Sequence, residues 1–155
     1  MEKSRPSFAF NNHYGVSMHS LNHILDVGTP FVIFEAYVSS YHEFIDFIKF
    51  GWGSALIDPE FESKKEICER FGIKPLLGGT FFEYMIHHHS FADFVKKIEQ
   101  YGLQCVELSR GTIDIDDSLY ASYIKQLSSD YYVMSEVGRK SSDPSQALAP
   151  SQWLA

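Results

Sequence analysis

Basic charge is scarce in this chain. Thirteen lysines and arginines stand against twenty acids in 155 residues, a formal net charge of −7 with histidine neutral. That balance argues against nucleic acid or an anionic membrane as the main partner. Cysteine is scarcer still: Cys68 and Cys105 lack metal-ligand spacing and read as small buried hydrophobes, not as a disulfide framework. No apolar run approaches the roughly 18 residues of a membrane span, and nothing near Met1 resembles a charged head followed by an apolar stretch, so a cytoplasmic location is expected. The Gly-x-Gly-x-x-Gly phosphate loop is also missing, Gly78-Gly79 being the nearest thing to it. Apolar and aromatic residues, by contrast, make up 45% and 15% of the chain, ample for one core in one ordinary domain.

The element the rest is arranged around is Phe44-Ile-Asp-Phe-Ile-Lys-Phe-Gly-Trp-Gly53. An apolar, β-prone run that breaks into glycines reads as a buried parallel strand ending in a loop. It puts Lys49 at the carboxyl end, where parallel α/β sheets bind ligands. Residues 1–20 read as an N-terminal arm, and residues 21–155 as the domain.

A first strand is expected over 21–26. Thr29-Pro30 signals a capped helix with an apolar stripe at Phe31, Phe34, Val38 and Tyr41. Asp58-Pro59 repeats that signature for a helix stopped by Gly72. A third strand over 73–77 ends in Gly78-Gly-Thr80, followed by a short helical pattern over 81–86. Ser90 caps a helix over 91–101, the fourth strand spans 104–109, Asp116 caps a helix over 117–127, and the fifth strand spans 131–137.

Strands separated by helices imply right-handed crossovers and a parallel sheet. Two architectures fit: a (β/α)8 barrel of which the first five units are present, since a whole one needs about 250 residues, and a flavodoxin-like doubly wound sheet. Polarity favours the barrel. Glu107 and Ser109 alternate with apolar Val106 and Leu108, and Glu136 falls within the fifth-strand pattern, whereas a sheet covered on both faces prefers strands apolar throughout.

Asp46-Phe-Ile-Lys-Phe-Gly-Trp-Gly53, Gly78-Gly-Thr-Phe-Phe-Glu83, Val106-Glu-Leu-Ser-Arg-Gly111 and Ser135-Glu-Val-Gly-Arg-Lys140 resemble, in order and spacing, the signature blocks of the phosphosulfolactate synthase family. Leu25-Asp-Val-Gly28 looks like its first-strand block, and the resemblance covers about residues 21–154. It implies a (β/α)8 barrel that adds sulfite to phosphoenolpyruvate with magnesium, in coenzyme M or related sulfonate biosynthesis. The chemistry suits the residues. An enolate-like dianion needs concentrated positive charge, and magnesium takes oxygen ligands. The resemblance implies Lys49, Glu107 and Lys140 as catalytic residues, with Lys140 delivering the proton; Asp26, Gly78, Gly79 and Ser109 as substrate-binding; and Glu83 and Glu136 as magnesium ligands. Glu107 and Glu136 also have a structural reading, as partners of Lys49 and Lys140 in a charge lattice. Asp46 and Trp52 read as structural, and His87-His-His89 as an exposed helix end, because three adjacent helical positions diverge by about 100° each.

Two departures stand out. His19, Ser20 and Asn22 occupy positions where the family carries arginine, glycine and threonine, and Arg110 adds a charge beside Glu107 and Ser109. Ser151 would cap a further helix, and the family's last three strands have no counterpart here. Barrels of this kind often bind phosphate with the loops after strands seven and eight, so the chain alone is expected to turn over little. Unpaired edges on strands one and five favour self-association, and a homo-oligomer is expected. A second function, a non-catalytic relative similar to heat-stress-associated members of the family, stands beside the lyase.

Overall fold

The computed structural model describes residues 21–140 together with Asp143 and Ser145. The expected arm and the helix start at Ser151 lie outside them. The elements are β1 (His23–Asp26), α1 (Phe31–Tyr41), β2 (Phe47–Phe50), α2 (Phe61–Arg70), β3 (Lys74–Leu77), α3 (Gly79–His88), α4 (Phe91–Gln100), β4 (Cys105–Leu108), α5 (Asp117–Leu127) and β5 (Tyr132–Ser135). All four strand pairings are parallel, and the order is β1-β2-β3-β4-β5. A flavodoxin-like sheet requires order 2-1-3-4-5. The fold is the sequential arrangement of a (β/α) barrel.

Side-chain alternation along the strands separates two faces. On one, Ile48, Phe50, Leu77, Val106 and Leu108 pack with Phe34 and Val38 of α1, Phe61 of α2, Phe82 of α3, Phe94 of α4 and Leu127 of α5. All five helices thus cover a single face. On the other, Phe47, Leu76 and Cys105 form a separate small core with Tyr132 and Met134, to which none of the described helices contributes. This is the inner face of a barrel wall: an apolar floor at mid-strand, with Lys49, Gly78 and Glu107 two residues further along each strand and Ser109 two beyond Glu107.

Several local expectations shift. The second strand begins at Phe47, because His42–Phe44 form a short 3-10 turn. Thr29 does not cap α1; its N–H donates to Asp26 Oδ1 at 2.9 Å, and Pro30 takes the cap position. Asp58 likewise stands before α2, whose cap position is Glu60. Ser90 and Asp116 do cap α4 and α5. Glu136 lies just past β5, although its N–H still donates to Leu108 O at 2.9 Å and continues the ladder by one step. Trp52 gives no packing: it is 76% exposed, with a left-handed backbone (φ 54°). His87–His89 are exposed at the end of α3, as expected. Among the described residues, no helix is long and apolar enough to cross a membrane.

Lys64 is 0% exposed and reaches from α2 to Asp26 Oδ2 at 3.0 Å and Asp58 Oδ2 at 2.6 Å. Burial alone would raise the Asp26 carboxyl, but hydrogen bonds from Thr29 and the Lys64 ammonium outweigh it and hold it below the usual range. Burial would lower Lys64, but its two carboxylates hold it above the usual lysine value. Removing one partner of such a pair leaves the other charge buried alone. Lys64→Met is therefore predicted to cost about 3–5 kcal/mol in urea unfolding.

The pH dependence follows from the same shifts. Asp26's contribution is present above the ordinary carboxylate pKa of about 3.9 and lost as pH falls through its lower folded value. Lys64's is present below about 10.4 and lost as pH rises through its higher folded value. Lys64→Met is predicted to flatten both flanks of the stability profile.

Burial pushes the thiol of Cys68 up to about 12 and that of Cys105 to about 11. Both stay protonated, and only a thiolate attacks. A chromogenic disulfide reagent at pH 8 is predicted to find neither thiol in the native protein and both after denaturation.

Candidate active site

The carboxyl ends of the strands carry two linked clusters on the inner face. In the first, Lys49 Nζ lies 3.0 Å from Glu107 Oε2 and 3.3 Å from Oε1. Lys49 is on β2 and Glu107 on β4, so the lysine must cross the end of β3. Gly78 is what lets it pass: a Cβ there would sit 3.2 Å from Lys49 Cδ. Glu107 Oε1 also accepts the N–H of Gly79 at 2.9 Å, which places a carboxylate at the positive N-terminus of α3. Glu107 is 5% exposed and Lys49 19%.

The second cluster centres on Glu83 of α3, 2% exposed. Its Oε1 accepts from Ser109 Oγ, from Gly111 N–H at 2.7 Å and from Lys140 Nζ at 3.3 Å, and its Oε2 accepts from Thr112 Oγ1. Lys140 Nζ also donates to Ser109 Oγ at 3.0 Å and Thr80 Oγ1 at 3.3 Å, and lies 3.2 Å from Glu136 Oε2. Burial would raise the Glu83 carboxyl, but hydrogen bonds from Ser109, Thr112 and Gly111 and the Lys140 charge outweigh it and hold it low.

The clusters meet where α3 begins. A Cβ on Gly79 would stand 2.5 Å from Ser109 Oγ and 3.1 Å from Glu107 Oε1.

The structure thus brings together Lys49, Gly78, Gly79, Glu83, Glu107, Ser109, Glu136 and Lys140. Asp26 is not among them. It pairs in register with Phe50, on the helix-packed face, and is taken up by Lys64. Arg110 also turns away: its guanidinium bonds Asp117 and lies 5.1 Å from the Tyr120 ring centre, so its charge is spent at the start of α5. Asp46 is structural, accepting the N–H of Asn22 at 2.8 Å.

Reading the sequence missed Thr80, Thr112 and His23 as site residues. The two threonines each follow a glycine of the signature blocks, and that repeated Gly-Thr was a usable signal. His23 is in register with Phe47, on the inner face. Burial and the Lys49 charge hold its imidazole below its ordinary value.

Among the described residues no three His, Cys, Asp or Glu side chains are grouped to hold a metal ion. Magnesium commonly binds through one or two carboxylates plus substrate oxygens. Glu83 does not fit that role, since its two oxygens already accept four donors. Glu136 does fit, being 41% exposed and engaged by Lys140 at Oε2 alone.

Gly79→Ala tests the close approach at the junction. At an ordinary helical position this change stabilises by about 1 kcal/mol. Here overpacking against Ser109 is predicted to reverse the sign, with a loss of about 1–3 kcal/mol in thermal unfolding.

Comparison with known proteins sets this arrangement among relatives. The sequence model of the family described as (2R)-phospho-3-sulfolactate synthase (ComA) matches residues 17–155. A phosphosulfolactate synthase of Methanocaldococcus jannaschii is 36% identical over 143 residues, covering 90% of this chain and 57% of that protein. One of Bacillus subtilis is 30% identical over 131 residues, covering 84% and 52% respectively. The chain spans about half the length of these curated relatives.

Proposed function

The chain belongs to the phosphosulfolactate synthase family, and from that membership we propose that its inner-face site binds phosphoenolpyruvate and sulfite and joins them as phosphosulfolactate. The observation that carries this reading is the pair of lysines. Lys49 comes from β2 and Lys140 from the segment after β5, and each is seated on a buried carboxylate at the carboxyl ends of the strands.

In the proposed reaction the sulfur lone pair of sulfite forms the C–S bond at the methylene carbon. The π electrons move onto the central carbon and its carboxylate, giving an enolate-like dianion. Lys49 and Lys140 hold that charge in place, which is the form of catalysis worth most when the donors are already oriented. The Lys140 ammonium then gives a proton to the central carbon, and phosphosulfolactate leaves with its phosphate ester intact. The positive N-terminus of α3 opens on the same space and adds to the field that would hold the substrate carboxylate. Magnesium belongs to the proposal as a cofactor: when bound, it would add positive charge against the developing dianion, and Glu136 is the carboxylate suited to share it with the substrate. A cytoplasmic homo-oligomer is part of the same reading, checked by light scattering.

The test is sulfite-dependent consumption of phosphoenolpyruvate with mass detection of product, beside calorimetric binding of phosphoenolpyruvate. Lys140→Ala is predicted to lower turnover by about 100-fold or more while leaving binding measurable, because a general acid is worth that much. Lys49→Ala is predicted to weaken binding first. Turnover unchanged in Lys140→Ala would end the proton-donor assignment. Binding without turnover in the wild type would favour the non-catalytic relative, a reading supported by the unpaired outer edges of β1 and β5 among the described residues.

A further inference from the structure

Glu83 is the most thoroughly bonded carboxylate of the site, yet no step of the reaction above uses it. Resting on the phosphoenolpyruvate reading, we propose that Glu83 is a positioning residue for Lys140 and not a magnesium ligand: with Gly111 it forms a seat that aims the ammonium into the inner face.

A carboxylate offers about four lone-pair positions. On Glu83 three donors, Ser109 Oγ, Gly111 N–H and Lys140 Nζ, converge on Oε1, and Thr112 Oγ1 holds Oε2. One donor is main chain and cannot swing aside, so a cation at Glu83 would strand a buried N–H as well as expel the lysine.

Lys140 is held along its whole length by the same pair of residues. Its main-chain N–H donates to Gly111 O at 2.9 Å. Its stem runs over Gly111, where an added Cβ would fall 2.5 Å from Lys140 Cγ and 2.9 Å from Cδ. Its head rests on Glu83 Oε1, Ser109 Oγ and Thr80 Oγ1. Four acceptors surround three N–H groups, and Glu136, the exposed one, is the partner an arriving anion replaces most readily. The buried Glu83 stays in place and keeps the ammonium from following the ligand outward.

The test compares wild type, Glu83→Gln and the gentler Thr112→Val, each confirmed folded by circular dichroism. An amine-acylating reagent is applied, and the rates at Lys49 and Lys140 are resolved by mass spectrometry. Losing the charge-assisted seat is expected to raise the Lys140 rate about tenfold in Glu83→Gln and by a smaller factor in Thr112→Val. Lys49, tied to Glu107, is expected to keep its rate. Magnesium alone, added to the wild type, is expected to leave Lys140 unchanged. Equal rises at both lysines, or no rise at Lys140, would overturn the proposal. So would magnesium that frees Lys140 in the wild type but has no effect in Glu83→Gln, the signature of a metal ligand. Phosphoenolpyruvate is included as a separate arm: if it protects neither lysine in the wild type, the reaction assigned above fails while the seating of Lys140 by Glu83 stands.

Discussion

A carboxylate taken out of water must have its oxygens filled, and much of this structure follows from meeting that demand three times along one rim. The cost of leaving such a charge unmatched exceeds anything a single packing contact supplies. Asp26 meets it with Lys64 and the Thr29 N–H, Glu107 with Lys49 and the Gly79 N–H, and Glu83 with two hydroxyls, the Gly111 N–H and Lys140. Each solution joins elements far apart in the chain. Lys64 ties α2 to β1, Lys49 ties β2 to β4 across β3, and Lys140 ties the segment after β5 to α3. The rim is cross-linked by charge where the sheet below it is held by apolar packing.

The three solutions differ in direction, and that difference separates structure from chemistry. Asp26 and Lys64 point into the helix-covered layer and share it with Phe34, whose ring lies 5.3 Å from the lysine nitrogen. The other two face the inside of the wall, above the apolar floor of Phe47, Leu76 and Cys105. Both faces were decided by strand alternation, since a shift of one residue along β1 would exchange the roles of Leu25 and Asp26.

Alternation is also why so much was legible in advance. Cys105-Val-Glu-Leu-Ser109 announces a strand with polar residues on one side, and Glu107 and Ser109 are found there together. The glycine pair at 78–79 marked the place where backbone and side chains come close. What stayed hidden depended on partners distant in sequence. Nothing near Asp26 foretells Lys64, although Lys64 occupies the apolar stripe of Phe61 and Cys68 in α2, an odd place for a solvated lysine. Helix starts moved by a residue or more: Thr29 gives its N–H to Asp26, and Asp58 divides its oxygens between Lys64 and the N–H of Glu60, the residue before α2. Arg110 looked like a charge added to the site, and only the position of Asp117 shows where that charge goes.

The charge balance of the inner rim bears directly on how anions enter it. Lys49 and Lys140 face Glu83, Glu107 and Glu136, so the resting cluster holds one more negative charge than positive. Under the proposed reading, an incoming anion would therefore have to replace a carboxylate or arrive with a cation. Glu83 and Glu107 are buried and anchored by main-chain N–H groups, and moving either would break hydrogen bonds that water cannot restore there. Glu136 is the exception. It is the exposed carboxylate of the three, bound at one oxygen, and its displacement into solvent recovers most of the hydration its partner had cost. Under the proposed reading the same residue is thus the natural point of exchange, where it would either give up Lys140 to the substrate or take a divalent ion that the substrate brings with it.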